Sequence, residues 1–282
     1  MNIKIVTDST CDLPESIIKK YDITVIPAYI NFTDGSYLDG VELSRLEFYQ
    51  KLPDYETTPT TSAPAIGTFA KVYQELFENG ATAILSIHIA STLSGIYNTA
   101  VLAAHTFENL IVRTFDAGNL SLGTGLVVEA AAKMAQAGRS LDEILEKVRD
   151  IAERTYTVAA LDTLKYLRRS GRVSRLKAGL GSILQIKPIL RMNRDHVTMD
   201  AARTTTGAFQ RLLDLLRALG PLEQIALLHT NAPYQAEALK KKIQTIMKTP
   251  TEIYSQDVTP VIGSHIGPGA VGFVAVTARG KN

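Results

Sequence analysis

Short runs of β-branched and aliphatic residues alternate with helical segments in the first half of the sequence, and this order constrains the fold more than any other feature. The candidate strands are residues 3–6, 23–30, 83–87 and 111–115. The predicted helices are a short one opened by Pro14, one starting at the Ser44–Glu47 capping box, and segments 64–79, 95–107, 122–137 and 141–152. This alternation is typical of a parallel sheet covered by helices. We therefore predict a doubly wound α/β domain over residues 1–155.

The pattern changes after about residue 155. Strand candidates now lie at 158–161, 186–192 and 197–201, and the turn residues Asn193-Arg194-Asp195 between two of them indicate a hairpin. Helices are predicted near 206–219 and 233–247, and strands at 225–229 and 271–277. We predict a second, smaller α/β domain with a mixed sheet over residues 156–282. Because no low-complexity linker separates the halves, we expect them to share an interface and a cleft.

Charge and cysteine content exclude several classes of protein. Lys and Arg number 30 and Asp and Glu 28, so the net charge of +2 is too small to bind nucleic acid or an anionic membrane by bulk charge. The single Cys11 cannot form an intramolecular disulfide, which fits a reducing compartment. The sequence contains no run of about 18 apolar residues that could span a bilayer. We expect a cytoplasmic protein with no nucleic-acid partner and no membrane insertion.

Motifs for nucleotides, metals and acyl-enzyme chemistry are weak or missing. The segment 267–272 matches G-x-G-x-x-G, but it precedes the last predicted strand instead of following a strand and opening a helix. The sequence contains neither a P-loop nor a G-x-S-x-G elbow. Its five histidines are scattered without a partner at ligand spacing. We expect no cofactor and no metal.

A cluster of hydroxyl residues is more informative. Ser91, Thr92 and Ser94 follow the strand 83–87 and precede a helix predicted from Gly95. Ligands of doubly wound sheets bind at this carboxyl edge, and a helix N-terminus favours an anion. Ser94 or Ser91 could instead simply cap the helix.

A second hydroxyl cluster points to the same region. Residues 57–62, which include Thr61 and Ser62, precede a helix predicted to begin at Pro64. The segment could also be a solvated Thr-rich loop. Two hydroxyl-bearing helix starts in one domain favour an oxyanion site.

Positive charge for such an anion could come from the second domain. Residues 168–175 are rich in arginine, and Gly171 suggests a turn that directs Arg172; the alternative is a solvated basic face. His265 lies in a Gly/Pro-rich segment, predicted to be a loop, and loops often carry functional residues.

The motifs together resemble those of the DegV family, bacterial fatty-acid-binding proteins that include the binding component of fatty acid kinase. The resemblance covers essentially the whole chain. It is carried by Thr7-Asp8-Ser9, Asp12-Leu13-Pro14, Thr61-Ser62-Ala63-Pro64, Ser91-Thr92-Leu93-Ser94-Gly95-Ile96-Tyr97, Gly171-Arg172, Lys187-Pro188-Ile189-Leu190 and His265-Ile266-Gly267-Pro268-Gly269. It implies a Rossmann-like first domain, a smaller α/β domain with a mixed sheet, and a fatty acid buried between them.

The resemblance also implies roles for individual residues. Thr61 and Ser94, with Ser62 and Gly95 adjacent, would hold the carboxylate of a long-chain fatty acid such as palmitate. Burial of a carboxylate requires charge-assisted hydrogen bonds, which hydroxyls at these positions could donate.

Arg172 and His265 would support the head group and its phosphorylation by a separate ATP-dependent kinase subunit. Two positions depart from the family pattern: Ala65 replaces a serine and Ile96 a threonine. Both substitutions affect details of head-group contacts.

We therefore expect a lipid-binding protein, without catalytic residues of its own, that presents a fatty acid to a kinase subunit. Small residues at 178–184 could leave space for the acyl chain or allow close helix packing. One rival hypothesis is a serine hydrolase with Ser94 as nucleophile and His265 as base. Another is a nucleic-acid module that binds phosphates through residues 168–175, which the net charge disfavours.

Overall fold

The computed structural model describes residues 2–171, 186–247 and 253–279. A four-stranded sheet occupies the N-terminal half, and its strands in spatial order are β2 (Thr24–Ile26), β1 (Ile3–Asp8), β6 (Ala83–His88) and β7 (Ile111–Asp116). All three strand pairs are parallel, as predicted. Every residue of the central strand β6 is buried, which is typical of a parallel sheet with both faces covered.

Helices cover both faces of this sheet. They are α1 (Glu15–Lys20), α2 (Arg45–Lys51), α3 (Ile66–Glu78), α4 (Ile96–Ala104), α5 (Leu122–Gln136) and α6 (Leu141–Arg154). Phe69 and Tyr73 of α3 pack in one buried cluster with Val6 of β1, whereas Leu126 of α5 packs in another cluster with Ile5. Because neighbouring residues of a strand point to opposite faces, these contacts place α3 and α5 on opposite sides.

A six-stranded sheet forms the second half. Its spatial order is β10 (His196–Ala202), β9 (Lys187–Asn193), β8 (Thr155–Ala160), β13 (Val271–Thr277), β11 (Leu222–His229) and β12 (Ser255–Asp257). Only the β11–β12 pair of these described strands is parallel, so the predicted mixed sheet is confirmed. The other α-helices among the described residues are α7 (Lys165–Arg169), α8 (Thr205–Ala218), α9 (Pro233–Met247) and α10 (Pro260–Ile266).

The predicted hairpin joins β9 to β10. Its turn residues Arg194 and Asp195 have φ angles of 46° and 65°, as expected for two left-handed residues in a tight hairpin turn. The turn lies over the first sheet, because the Asp195 amide donates to the Gly118 carbonyl at 2.9 Å. One edge of the second sheet therefore reaches the loops of the first.

A third, small sheet differs from the prediction. Its strands are β4 (Ser36–Leu38), β3 (Tyr29–Asn31) and β5 (Thr60–Ser62), in that spatial order. The single strand expected at 23–30 is thus two strands, and the last three residues of the hydroxyl cluster 57–62, expected to lead into a helix, form strand β5. Helix α3 begins at Ile66, two residues later than predicted. Strands of three residues leave almost no periodic signal, so their partners in the fold define them.

The predicted domain limits, 1–155 and 156–282, divide the chain where β8 begins at Thr155. One buried cluster combines Leu126 and Val148 from α5 and α6 with Leu228 and Val274 of the second sheet. These two helices therefore pack between the sheets. The division into two domains stays a prediction.

Candidate functional site

A cavity of about 810 Å³ lies where the carboxyl edge of the first sheet meets the second sheet. Its apolar lining comes from both halves of the chain and includes Ile89, Leu93 and Ile96 from the first, and Leu161, Leu190, Met192, Val197, Met199, Leu228 and Ile262 from the second. Thr61, Ser62, Ser94, Gly95 and His265 also line it. The cavity thus brings together the described site residues that the sequence predicted.

Thr61 and His265 are in direct contact at this cavity. Thr61 Oγ1 lies 3.1 Å from His265 Nε2, at hydrogen-bond distance. When Nε2 carries a proton it donates to Thr61, and the hydroxyl proton of Thr61 can then point to an anionic ligand. These residues are 204 positions apart in the sequence, so the contact joins the small sheet to the helix that carries His265 near the C-terminus.

The secondary structure around these two residues corrects the sequence-based expectation. Thr61 is the central residue of β5, paired with Ile30 of β3, and does not lie at a helix start. His265 lies in the last turn of α10, and the predicted loop was wrong. Thr259 at the N-cap and Pro260 at the first position are ordinary signals for a helix start that could have identified α10.

Ser94 lies just before α4, where the sequence placed it. Its Oγ accepts a hydrogen bond from the Ile96 amide at 3.3 Å, so the serine does contribute to the helix start. Within the described residues no hydrogen bond uses its hydroxyl proton. Ser94 can therefore accept from the helix and donate to a ligand at the same time.

Other hydroxyl groups around the cavity donate to the protein. Thr10 Oγ1 donates to Asp8, and Ser121 Oγ donates to Asp12 at 2.6 Å. Thr157 Oγ1 donates to the Asn119 side chain at 2.6 Å. Their protons are already used, whereas the described hydrogen bonds of Ser94, and likewise of Ser62, leave the hydroxyl proton available to an anion.

Ser62 and Gly95 have weaker roles in the geometry. The Ser62 hydroxyl accepts from Nδ2 of the Asn31 side chain at 3.3 Å. Gly95 has an ordinary negative φ of −74°, and a Cβ at this position would meet no atom within 4 Å. What Gly95 offers is its position at the N-terminus of α4, where backbone amides carry a partial positive charge.

The loop that carries Ser94 is fixed by two aspartates that the sequence analysis missed. Asp116 accepts from the Ser91 amide at 3.0 Å and from the Gly118 amide at 2.9 Å. Asp195, from the hairpin turn, accepts from Thr92 Oγ1 at 3.0 Å. The position of Asp116 at a strand end and of Asp195 in a turn could have suggested a role for both aspartates. Their partners, however, lie up to 103 residues away in the sequence.

Arg172 and residues 178–184, predicted for the head group and the acyl chain, lie outside the described residues. In the described part of the chain, no group of three His, Cys, Asp or Glu side chains is arranged to hold a metal ion. None of the described helices is both long enough and apolar enough to cross a membrane.

The geometry for a serine hydrolase is not found at this cavity. Among the described residues no hydrogen bond joins Ser94 to His265, whose ring nitrogen lies against Thr61. A Ser–His–Asp arrangement does occur deeper in the first sheet, where His88 lies 2.7 Å from Ser86 Oγ and 2.8 Å from Asp8. All three are completely buried and do not line the cavity. This arrangement therefore satisfies buried polar groups of the fold.

Residues 2–278 match the family described as "Uncharacterised protein, DegV family". The chain belongs to the DegV family. A DegV domain-containing protein of Clostridium acetobutylicum is 33% identical over 96% of this chain and 98% of its own length. The family resemblance deduced from the motifs is thus confirmed.

Solved DegV structures have the same fold. A DegV family protein from Thermus thermophilus, described as fatty acid binding, has a TM-score of 0.90 and 32% identity, and the match covers 99% of this chain and 100% of that one. DegV of Bacillus subtilis, described as a fatty acid binding protein, has a TM-score of 0.88 and 31% identity with the same coverage. The predicted combination of a Rossmann-like parallel sheet and a separate mixed sheet is therefore confirmed.

Proposed function

We propose that this DegV protein binds a long-chain fatty acid in the cavity between its two sheets. The observation that carries the proposal is the combination of an apolar lining with hydroxyl donors and an imidazole in one cavity. Its volume of about 810 Å³ lies within the range of small-molecule pockets. The DegV proteins of known structure that are described as fatty acid binding support the same conclusion.

The carboxylate is proposed to lie against Thr61 and Ser94, with the backbone at Ser62 and Gly95 beside it. No hydrogen bond among the described residues uses the hydroxyl proton of Ser94, and the hydroxyl proton of Thr61 is left for a ligand when His265 donates to Thr61. Hydrogen bonds to a charged group are about twice as strong as neutral ones, so two hydroxyls and the α4 N-terminus can replace the water lost on burial.

The acyl chain supplies the main driving force. Burial stabilises each methylene by about 0.8 kcal/mol, so the roughly fourteen methylenes of palmitate contribute on the order of 11 kcal/mol before ordering costs. The aliphatic and methionine side chains of the second sheet form a suitable wall for this chain. Methionine adapts to irregular apolar surfaces, which suits ligands of varying length.

The finer role that we propose is presentation of the carboxylate to a separate ATP-dependent kinase subunit. In this scheme the chain is a cytoplasmic lipid carrier without catalytic residues or a cofactor of its own. Arg172 and His265 would stabilise the extra negative charge that appears when a carboxylate becomes an acyl phosphate. The contact of His265 with Thr61 supports this assignment, because it puts the imidazole beside the proposed carboxylate.

Mass spectrometry of organic extracts from the purified protein tests the proposal. We expect a fatty acid of roughly 14–18 carbons, a length that the family resemblance implies and that the gain of about 0.8 kcal/mol for each methylene favours, and uptake of palmitate after delipidation. Detection of only nucleotide or sugar, together with no palmitate uptake, would rule out fatty-acid binding. Absence of acyl phosphate when loaded protein meets a fatty acid kinase subunit and ATP would rule out presentation while leaving binding intact.

A further inference from the structure

Residues 257–259, which immediately precede α10, are held by side chains from a distant part of the sequence. The Asp257 carbonyl accepts a hydrogen bond from Arg45 Nη1. The next carbonyl, that of Val258, accepts from Tyr49 Oη at 2.8 Å. Both donors lie on α2, more than 200 residues earlier in the chain. Helix α2 is thereby fastened to the start of α10.

Two buried carboxylates complete this attachment at Thr259, the N-cap of α10. The Thr259 amide donates to Asp12 Oδ1 at 2.8 Å, and its hydroxyl donates to Asp39. The Asp12 side chain is completely buried and forms an ion pair with Arg45 Nη2 at 3.2 Å. It also accepts from Ser121 at 2.6 Å. Each partner offsets the cost of burying this charge, which indicates a specific geometry.

Helix α10 connects this attachment to the cavity. It has seven residues and is therefore about 10 Å long. Gly263 in its middle packs so closely on Tyr49 that a Cβ would lie 2.2 Å from Tyr49 Oη. Tyr49 thus limits both the position of α10 and its rotation. His265 lies in the last turn and faces Thr61 across 3.1 Å.

We infer that Asp12, Asp39, Arg45 and Tyr49 form an α10 brace that positions His265 against Thr61. None of these four described side chains lines the cavity. Asp12 contacts the cavity-lining Ser121, and all four hold the residues at the start of α10. They are positioning residues for the head-group site. The predicted effect of the α10 brace on fatty-acid affinity rests on the proposed function. The predicted effect on the position of His265 does not.

Tyr49→Phe tests the α10 brace, because it removes one hydroxyl and keeps the ring against Gly263. Tyr73→Phe is a matched control. Tyr73 is also completely buried and donates through its hydroxyl at 2.8 Å, but to Ser86 in the first sheet. Both variants lose one buried hydrogen bond and should show similar falls in melting temperature. A purely structural role for Tyr49 predicts that they behave alike in every other assay.

The deciding readouts are the NMR signals of the His265 ring and the affinity for palmitate. The chain has only five histidines, so His265 can be assigned by comparison with His265→Gln. We expect Tyr49→Phe to shift the His265 ring signals and the pH at which they titrate, and to weaken palmitate binding about 5-fold. Tyr73→Phe should leave the His265 signals unchanged and alter the affinity by less than about 2-fold.

Thr259→Val removes the hydroxyl that donates to Asp39 and so tests the α10 brace independently. It should shift the His265 signals in the same way as Tyr49→Phe. Unchanged His265 signals in both Tyr49→Phe and Thr259→Val, or equal shifts in Tyr73→Phe, would overturn the inference. If wild-type protein fails to bind palmitate, the proposed function is wrong, and the His265 signals alone then decide on the α10 brace.

Discussion

Ser94→Ala separates a ligand-binding serine from one that only caps α4. In the structure Ser94 Oγ accepts from the Ile96 amide at 3.3 Å, which is longer than the usual 2.9–3.0 Å for such a bond. The N-cap residue of α4 is Gly95, so the contribution of Ser94 should not exceed the low end for an N-cap residue, about 0.5 kcal/mol of unfolding free energy. The hydroxyl proton, unused among the described residues, can form a hydrogen bond to a carboxylate that is worth about 1.5–3 kcal/mol.

These magnitudes predict a small loss of stability and a large loss of affinity. Palmitate binding by delipidated Ser94→Ala should weaken by about 10- to 100-fold in a titration, from the hydrogen bond to a charged group. The melting temperature of the ligand-free variant should differ little from that of wild type, because a long hydrogen bond contributes little to stability.

Ser140→Ala provides the matched control for loss of a cap. Ser140 forms a complete capping box with Glu143 at the start of α6, and it does not line the cavity. This variant should lose about 1 kcal/mol of stability and keep wild-type affinity. If Ser94→Ala behaves like Ser140→Ala, with a lower melting temperature and unchanged affinity, the assignment of Ser94 to the carboxylate is refuted.

Two further variants test the head group and the surface electrostatics. His265→Ala should still retain fatty acid, with an affinity lowered at least as much as in Tyr49→Phe, but it should support phosphorylation of the fatty acid by a kinase subunit poorly, because an imidazole stabilises the acyl phosphate more than the carboxylate; phosphorylation at the wild-type rate with this variant would contradict that role. Hydrogen bonds from Arg154 and Arg279 lower the pKa of Asp150 from 3.8 to about 2, so this carboxylate stabilises the fold above about pH 4 and loses that effect as the pH falls through about 2. Asp150→Asn should therefore lower the urea midpoint at pH 7, and the difference from wild type should shrink between pH 4 and pH 2; a difference independent of pH would show that charge is not the cause.

Long, periodic elements could be predicted from the sequence because their signals are local. The strand at 83–87 and the helix at 141–152 differ from β6 and α6 by no more than two residues at any boundary. The capping box of Ser140 and Glu143 involves residues three apart, so it is visible in the sequence as well as in the structure.

Elements defined by distant partners could not be predicted in this way. Strand β5 has three residues and is specified by its pairing with β3, in which Thr61 lies opposite Ile30. The contact between Thr61 and His265 spans 204 residues. Family motifs identified both residues, but only the fold explains why they meet. For Asp12 the motif was visible, yet its partner Thr259 lies 247 residues away.

The two halves of the head-group site are positioned by different physical means. Ser94 depends on a strand end and a helix start that are adjacent in the sequence, and Asp116 and Asp195 fix its loop. His265 depends on α10, whose start is held by buried groups of α2 and the N-terminal region. In the proposed function the carboxylate contacts both at once, so the affinity for fatty acid should depend on the separation between the first sheet and α10. Residues outside the cavity that set this separation, such as Tyr49, should then also affect binding, but by less than the hydroxyl groups that line it.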